Sequence, residues 1–379
     1  MTRETKIRTK SIADDTNLRC LEVSIGKSKL LTPSKSLGAD FVSNTKLPNN
    51  LSSQFNEISK SFKPDTIEKI RQNPEASRKK NNEFKKMYNN GANLPTISFI
   101  DYKTTEPVFP TDDEINLLTN FAYTYSDITP IPAVPKCATN LSFETIDSFL
   151  DYLRRSIESI EVWNNKPIMG YLPFVGSLFL EEIIELYIDN GINAFYLDFN
   201  RKGFSDLTAI TSIKKKLGQL GYAENHLIHF INMDYGKMNK EAQVLPARDF
   251  LGFAHGLDSM GDVHRTLGFA KKNIVKPTPA TIEKFRVFNR DGYGYYRIDM
   301  GELEGMLVYP EEAMYSSKDI LSERVMARKK NMLKLVNFQE QKKECDLLQV
   351  IANEDEKHSY DYFDSKKFID KKDLKKIKR

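Results

Sequence analysis

The chain has 379 residues, enough for two or three ordinary domains or for one α/β barrel with additions. Its 40% hydrophobic and 11% aromatic residues can build a sizeable core, and no apolar run reaches the ~18–20 residues that a membrane helix needs. The formal charge is +4, from 56 Lys and Arg against 52 Asp and Glu, which alone does not announce a nucleic-acid binder.

In chain order, the polar opening MTRETKIRTKSIADD lacks the apolar core of a secretory signal. Three distant cysteines, Cys20, Cys137 and Cys345, argue against a disulfide scaffold and for a reducing compartment. A cytoplasmic protein with no membrane partner is expected. Leu18–Pro33 alternates at Leu21, Val23 and Ile25 and turns at Gly26-Lys27, which predicts a strand pair. Residues 44–93 are rich in Asn, Ser and Lys. Pro64-Asp65-Thr66 is a helix start, and basic exposed helices are expected over 65–72 and 75–88.

From Leu94 the texture becomes short apolar runs separated by helical patterns. Strands are predicted within 94–102, 127–135, 166–174, 192–200, 226–236 and 247–262, with helices over 113–126, 143–165, 177–191 and 205–222. Buried, non-alternating strands between helices indicate a parallel sheet covered by helices. No GxGxxG or GxxxxGK[ST] turn occurs, so a nucleotide-binding doubly wound sheet has no fingerprint. The expected fold is α/β, a (β/α)8 TIM-type barrel. Its parts are an N-terminal strand region (1–43), a basic helical insertion (44–93), the barrel body (94–324) and a charged helical C-terminal extension (325–379).

In such a barrel the functional side chains sit at the C-terminal strand ends. Those ends carry Asp101, Pro173 and Phe174, Asp198 and Asn200, and Asn232 and Asp234. The turn HGLDSMGDVHR adds His255, Asp258, Asp262, His264 and Arg265. Carboxylates beside amides and imidazoles, repeated at one point of a repeated unit, suit a pocket more than a packing role. Helix capping is the plain alternative for Asp198 and Asp234. The histidine and aspartate spacing matches no zinc signature, so no metal and no cofactor are expected.

The order of these pieces resembles the tRNA-guanine transglycosylase superfamily. The resemblance rests on the opening KSKLLTPSKSL, the strand SFIDY, the run PIMGYLPFVGSLFLEEIIELYIDNGINAFYLDF and the turn HGLDSMGD, and it covers roughly residues 18–270. It implies base exchange at a ribosyl C1′ of a nucleic acid, with tRNA the first partner to expect. By position Asp258 is the implied nucleophile and Asp101 the acid/base. Asp198, Asn200, Asn232 and His255 could read the base and Phe174 could stack on it.

Basic residues supply the expected phosphate contacts: Lys79 and Lys80 in the insertion, and Lys366, Lys367, Lys371 and Lys372 in a tail of eight bases and two acids. Departures from the family leave two other readings open. Tyr-Lys-Thr follows Asp101, Pro173-Phe174-Val175 stands at the base-reading strand, and the family's zinc ligands are missing. The chain could be an inactive subunit that binds RNA, a catalytic protein partner or a second copy. It could equally be an unrelated barrel enzyme on a small acidic metabolite.

Overall fold

The computed structural model describes residues 5–39, 55–90, 94–163, 165–203, 208–233, 243–264, 284–299, 303, 310, 312–354 and 358–378. The N-terminal strands β1 (Lys6–Ile12), β2 (Arg19–Ile25) and β3 (Ser28–Leu31) form an antiparallel sheet in the order β1-β2-β3. Gly26, at φ 58°, makes the turn between the last two, a conformation open to glycine at little cost.

The centre of the molecule is parallel. Strands β4 (Ser34–Lys35), β8 (Thr129–Pro130), β9 (Ile168–Pro173), β10 (Ala194–Asp198), β11 (Leu227–Ile231) and β13 (Ser259–Met260) form a six-stranded sheet, ordered β4-β13-β11-β10-β9-β8. A second parallel sheet holds β5 (Leu37–Gly38), β6 (Asn56–Phe62) and β7 (Thr96–Tyr102). Only Ser36 separates β4 from β5, so one extended stretch gives an edge to each sheet. At the opposite edges a parallel bridge joins Asp101 to Ala133, just beyond β8. Strands β9, β10 and β11 are buried along their whole length, as strands covered on both faces must be.

The strands alternate with helices. These are α1 (Pro64–Gln72), α2 (Pro74–Asn90), α3 (Asp112–Thr124), the short α4 (Pro135–Ala138), α5 (Ile146–Glu161), α6 (Ser177–Asp189) and α7 (Thr208–Gln219). Thr111 and Glu114 close α3 with a reciprocal capping box. Helix α5 buries Phe149, Leu150, Leu153, Ile157 and Ile160 at three- and four-residue spacing, a single apolar stripe.

Residues 55–90, the described part of 44–93, are built into the parallel sheet and are not an insertion. They contribute β6, which pairs in parallel with both β5 and β7, and the two helices that follow it. The strand was hidden because FNEISKSF carries few apolar residues among polar ones.

Outside the parallel sheets, β12 (Val244–Pro246), β14 (Lys284–Asn289) and β15 (Gly294–Asp299) form an antiparallel sheet ordered β12-β15-β14. Short α8 (Leu251–Ala254) precedes β13, and α9 (Ser317–Ser322) precedes the long α10 (Met326–Asn353). Helix α10 lies against β14, β4, β1 and β2 and so touches three sheets: the N-terminal one, the six-stranded one and the β12-β15-β14 one. Helices α11 (Ser359–Asp364) and α12 (Lys371–Ile377) end the chain. Among the described residues no helix is long and apolar enough to cross a membrane.

The Lys-rich tail is docked. Ile369, Leu374 and Ile377 are buried, Asp370 caps α12 through the Lys372 amide, and Asp373 meets Arg248 at 3.0 Å. Lys366 is 7% exposed; it donates to Tyr362 Oη at 2.7 Å and sits over the Tyr293 and Tyr362 rings. Burial depresses its pKa despite the nearby Glu344 carboxylate, so it is a packing lysine and not a phosphate ligand. Ile377→Ala should therefore destabilise the protein by about 2–4 kcal/mol in a denaturant titration, whereas exchanging the exposed Lys371 or Lys372 for Gln should leave the midpoint unchanged.

Candidate functional site at the strand ends

Three aromatic rings and an imidazole fill the space between the parallel strands. Tyr171, Tyr196 and His229 stand level on β9, β10 and β11, with Tyr171 stacked on Tyr196 at 5.3 Å. Phe99 of β7 stacks on His229 at 5.6 Å and leans on Tyr196 at 4.9 Å. This layer is the floor on which the polar groups rest.

Glu57, on β6, is the centre of those groups. Its carboxylate has no exposure and takes four donors. One oxygen accepts from the Ser36 hydroxyl and from His229 Nε2 at 2.7 Å; the other accepts from His264 Nε2 at 2.6 Å and the Asp262 amide at 3.0 Å. Burial alone would raise its pKa, but the two histidines outweigh burial and hold it well below the usual carboxylate range. Among the described residues His229 Nδ1 has no partner, and the ring donates to Glu57 through Nε2.

Burial works against the His264 imidazolium, yet the Glu57 bond and the charges of Glu57, Asp262 and Asp101 together raise its pKa above the usual value. Gly261 is obligatory here. A Cβ on it would stand 2.5 Å from Glu57 Oε1 and 2.8 Å from His229 Nε2.

His264 and Glu57 line a cavity of about 420 Å³ that Asp262, Arg286, Tyr295, Lys334 and Gln341 also line. The Asp262 carboxylate is paired with buried Lys35 at 2.6 Å. A second cavity, of about 360 Å³, is lined by Tyr171, Phe174, Phe179, Asp198, Asn200 and Lys202. The cavities are linked by a polar chain. Asn232 Nδ2 donates to Asp198 Oδ1 at 2.9 Å, and its Oδ1 accepts from the His264 amide at 2.8 Å. Asn200, Arg201 and Asn232 have φ of 47°, 64° and 56°, strained values gathered at two neighbouring strand ends.

The expected residues divide accordingly. Asp198, Asn200 and Phe174 share one cavity, Asn232 is bonded to Asp198, and half-buried Asp101 is close enough for its charge to act on His264. Asp198 is not a helix cap; its carboxylate holds the Asn200 amide and the Asn232 side chain. Asp234 and Arg265 lie outside the described residues.

Asp258 is corrected outright. It has no exposure and grips Arg19 with both oxygens at 2.7 Å, while the Ile228 amide donates to it at 2.6 Å. It precedes β13, at the opposite end of the strand from Asp262, so it is a structural ion pair and not a nucleophile.

His255 is likewise removed from the site. It ends α8 near Lys214 and Lys376, and burial, with those charges, pushes its pKa down to about 4. Of the expected phosphate contacts on α2, Lys80 is bonded to Glu83 at 2.9 Å and lies over Phe62 and Phe84, while Lys79 is exposed. Lys367, Lys371 and Lys372 are exposed as well, Lys367 beside the Phe368 ring. Sequence reasoning missed Glu57, His229 and Arg19. Among the described residues no three His, Cys, Asp or Glu side chains are grouped so as to hold a metal ion.

Breaking the buried Arg19–Asp258 pair strands a charge, so Asp258→Asn should cost about 3–5 kcal/mol of unfolding free energy in urea. The Glu57–His264 pair makes a separate forecast. Glu57 has a folded pKa below its ordinary 4.5, so its contribution is present above that value and lost as pH falls through the folded pKa. His264 has a folded pKa above its ordinary 6.5, so its contribution is complete below that value and lost as pH rises through the folded pKa. The contribution of this pair should be complete between the two ordinary values, and His264→Gln should lessen the decline of stability on the alkaline side.

No protein-family model matches this chain, and no curated protein is similar to it.

Proposed function

We propose that the two parallel sheets are one closed (β/α)8 barrel and that the chain is an enzyme working at the C-terminal ends of its strands. Support for closure comes from both edges. The stretch 34–38 serves β13 on one side and β6 on the other, and the Asp101–Ala133 bridge joins the remaining edges. The reaction we favour is nucleobase exchange at a ribosyl C1′, with His264 as the proton carrier, Asp101 as the carboxylate at the sugar, and the Phe174–Asp198–Asn200 cavity receiving the base.

His264 carries the reading. A single imidazole lines a cavity, is held on a fully buried carboxylate, and feels two further carboxylates. Held as an imidazolium, it can protonate the base nitrogen as the bond from that nitrogen to C1′ breaks and an Asp101 oxygen bonds to C1′. The incoming base then displaces Asp101 and returns its proton to His264. Phe174 offers a ring and Asp198 a fixed acceptor, the two things a planar heterocycle needs.

The test is incorporation of labelled free nucleobases, offered one at a time, into bulk tRNA, other RNA or DNA. Label should enter, Asp101→Asn should abolish entry, and His264→Gln or Glu57→Gln should lower kcat/KM by roughly 10²–10⁴. No incorporation into any nucleic acid removes the exchange reading. A His264→Gln variant at full rate removes the proton carrier.

A further inference from the structure

We infer that the cavity beside His264 is a phosphate site, clamped by the cross-strand arginines Arg286 and Arg297 of the β14–β15 hairpin. In that ladder Arg286 pairs with Arg297, and Phe288 pairs with Tyr295. The strand period of two puts these four side chains on one face. Val287 and Ile298, on the other face, are buried in a separate apolar cluster. Arg286 and Tyr295 both line the cavity, so the arginine face is the face turned toward it. Lys334 of α10 lines the same cavity.

Two like charges directly opposite in an antiparallel pair repel and destabilise the hairpin. Nothing among the described residues relieves them. Arg286 and Arg297 are exposed, and neither guanidinium has an acidic, hydrogen-bonding or ring partner there. The cavity's own carboxylates do not serve. Glu57 is taken by Ser36, His229, His264 and the Asp262 amide, and Asp262 is taken by Lys35.

The clamp is also held in place. Asn337 of α10 donates to the Arg286 carbonyl at 2.8 Å and accepts from the Phe288 amide at 2.8 Å, which fixes the backbone that carries Arg286. Arg286, Lys334 and the His264 imidazole line the cavity and Arg297 stands across the ladder from Arg286, a set of donors that matches a tetrahedral phosphate group, whose oxygens can serve several donors at once.

The inference deepens the proposed function by giving its substrate an anionic handle, and it rests on that reading only for what the phosphate is attached to. The group could belong to a free phosphomonoester or to a polynucleotide backbone. Calorimetric titration of the full chain at constant ionic strength with inorganic phosphate, a nucleoside 5′-monophosphate and tRNA separates the sources. The monophosphate binding without tRNA assigns a small metabolite; tRNA binding through the same arginines assigns the backbone.

In either case Arg286→Gln and Arg297→Gln should each weaken binding roughly tenfold or more. The ligand-free Arg297→Gln protein should melt no lower than the parent, because a repulsion has been removed. Unchanged affinity for all three probes in both variants overturns the phosphate site, even if His264-dependent base exchange is found. Arginine-dependent phosphate binding without any base exchange keeps the site and discards the exchange.

Discussion

A full negative charge sits where the parallel strands converge, and much of the surrounding geometry follows from it. Glu57 is without solvent, and an ionised carboxylate in such a place is tolerated only when its lone pairs are occupied. The four occupants come from three places in the chain: Ser36 between β4 and β5, His229 in β11, and the Asp262 amide and His264 beyond β13. Each donor fixes one strand relative to β6. The ring of donors also forbids a side chain at position 261, since the carboxylate and the imidazole already fill that space. Removing any one donor leaves the remaining charge uncompensated, so the cluster is maintained or lost as a unit.

Two differently paired carboxylates sit at opposite ends of one very short strand, Asp258 fully buried and Asp262 a quarter exposed. Asp258 and Asp262 are separated by Ser259, Met260 and Gly261, about 13 Å at ~3.3 Å per residue of extended chain. At the first end Arg19, brought in by the N-terminal hairpin, neutralises Asp258 in full and leaves nothing for a ligand. At the second end the pairing is looser. Asp262 is held by Lys35, His264 reaches a cavity, and Arg286 of a different sheet lines the far wall. The fully neutralised ion pair and the groups that face the cavity are thus kept at opposite ends of the strand axis.

This separation explains what the sequence discloses and what it conceals. Strands such as YLPF, FYLD and LIHFI are legible because burial on both faces makes them continuous apolar runs, and the polar residues that end them are legible as site candidates. Asp198, Asn200 and Phe174, which line one cavity, are legible in this way. Glu57 was not, because a charge directed inward on a strand of mixed composition looks like a charge directed outward. Asp258 was mistaken for a reactive group because a one-dimensional pattern does not reveal which end of a two-residue strand a carboxylate occupies. The tail misled for a related reason. Its lysines outnumber Ile369, Leu374 and Ile377, yet those three residues decide where the helix lies.

The cavity beside His264 is built from Leu37, Gly38 and Ala39 near one end of the chain and from Lys334, Asn337, Phe338 and Gln341 near the other. Contacts so distant in sequence have high loop-closure entropy and are slow to form. The strands up to β13 precede in the chain the hairpin and helix that make the cavity's outer wall, and a form lacking that wall would leave the polar centre uncovered. A ligand held in this cavity joins the first and last parts of the chain and stabilises the finished form over that open one by mass action. Occupancy and completion of the fold are thus thermodynamically linked, and the abundance of the closed protein in a cell would track the concentration of whatever the cavity holds.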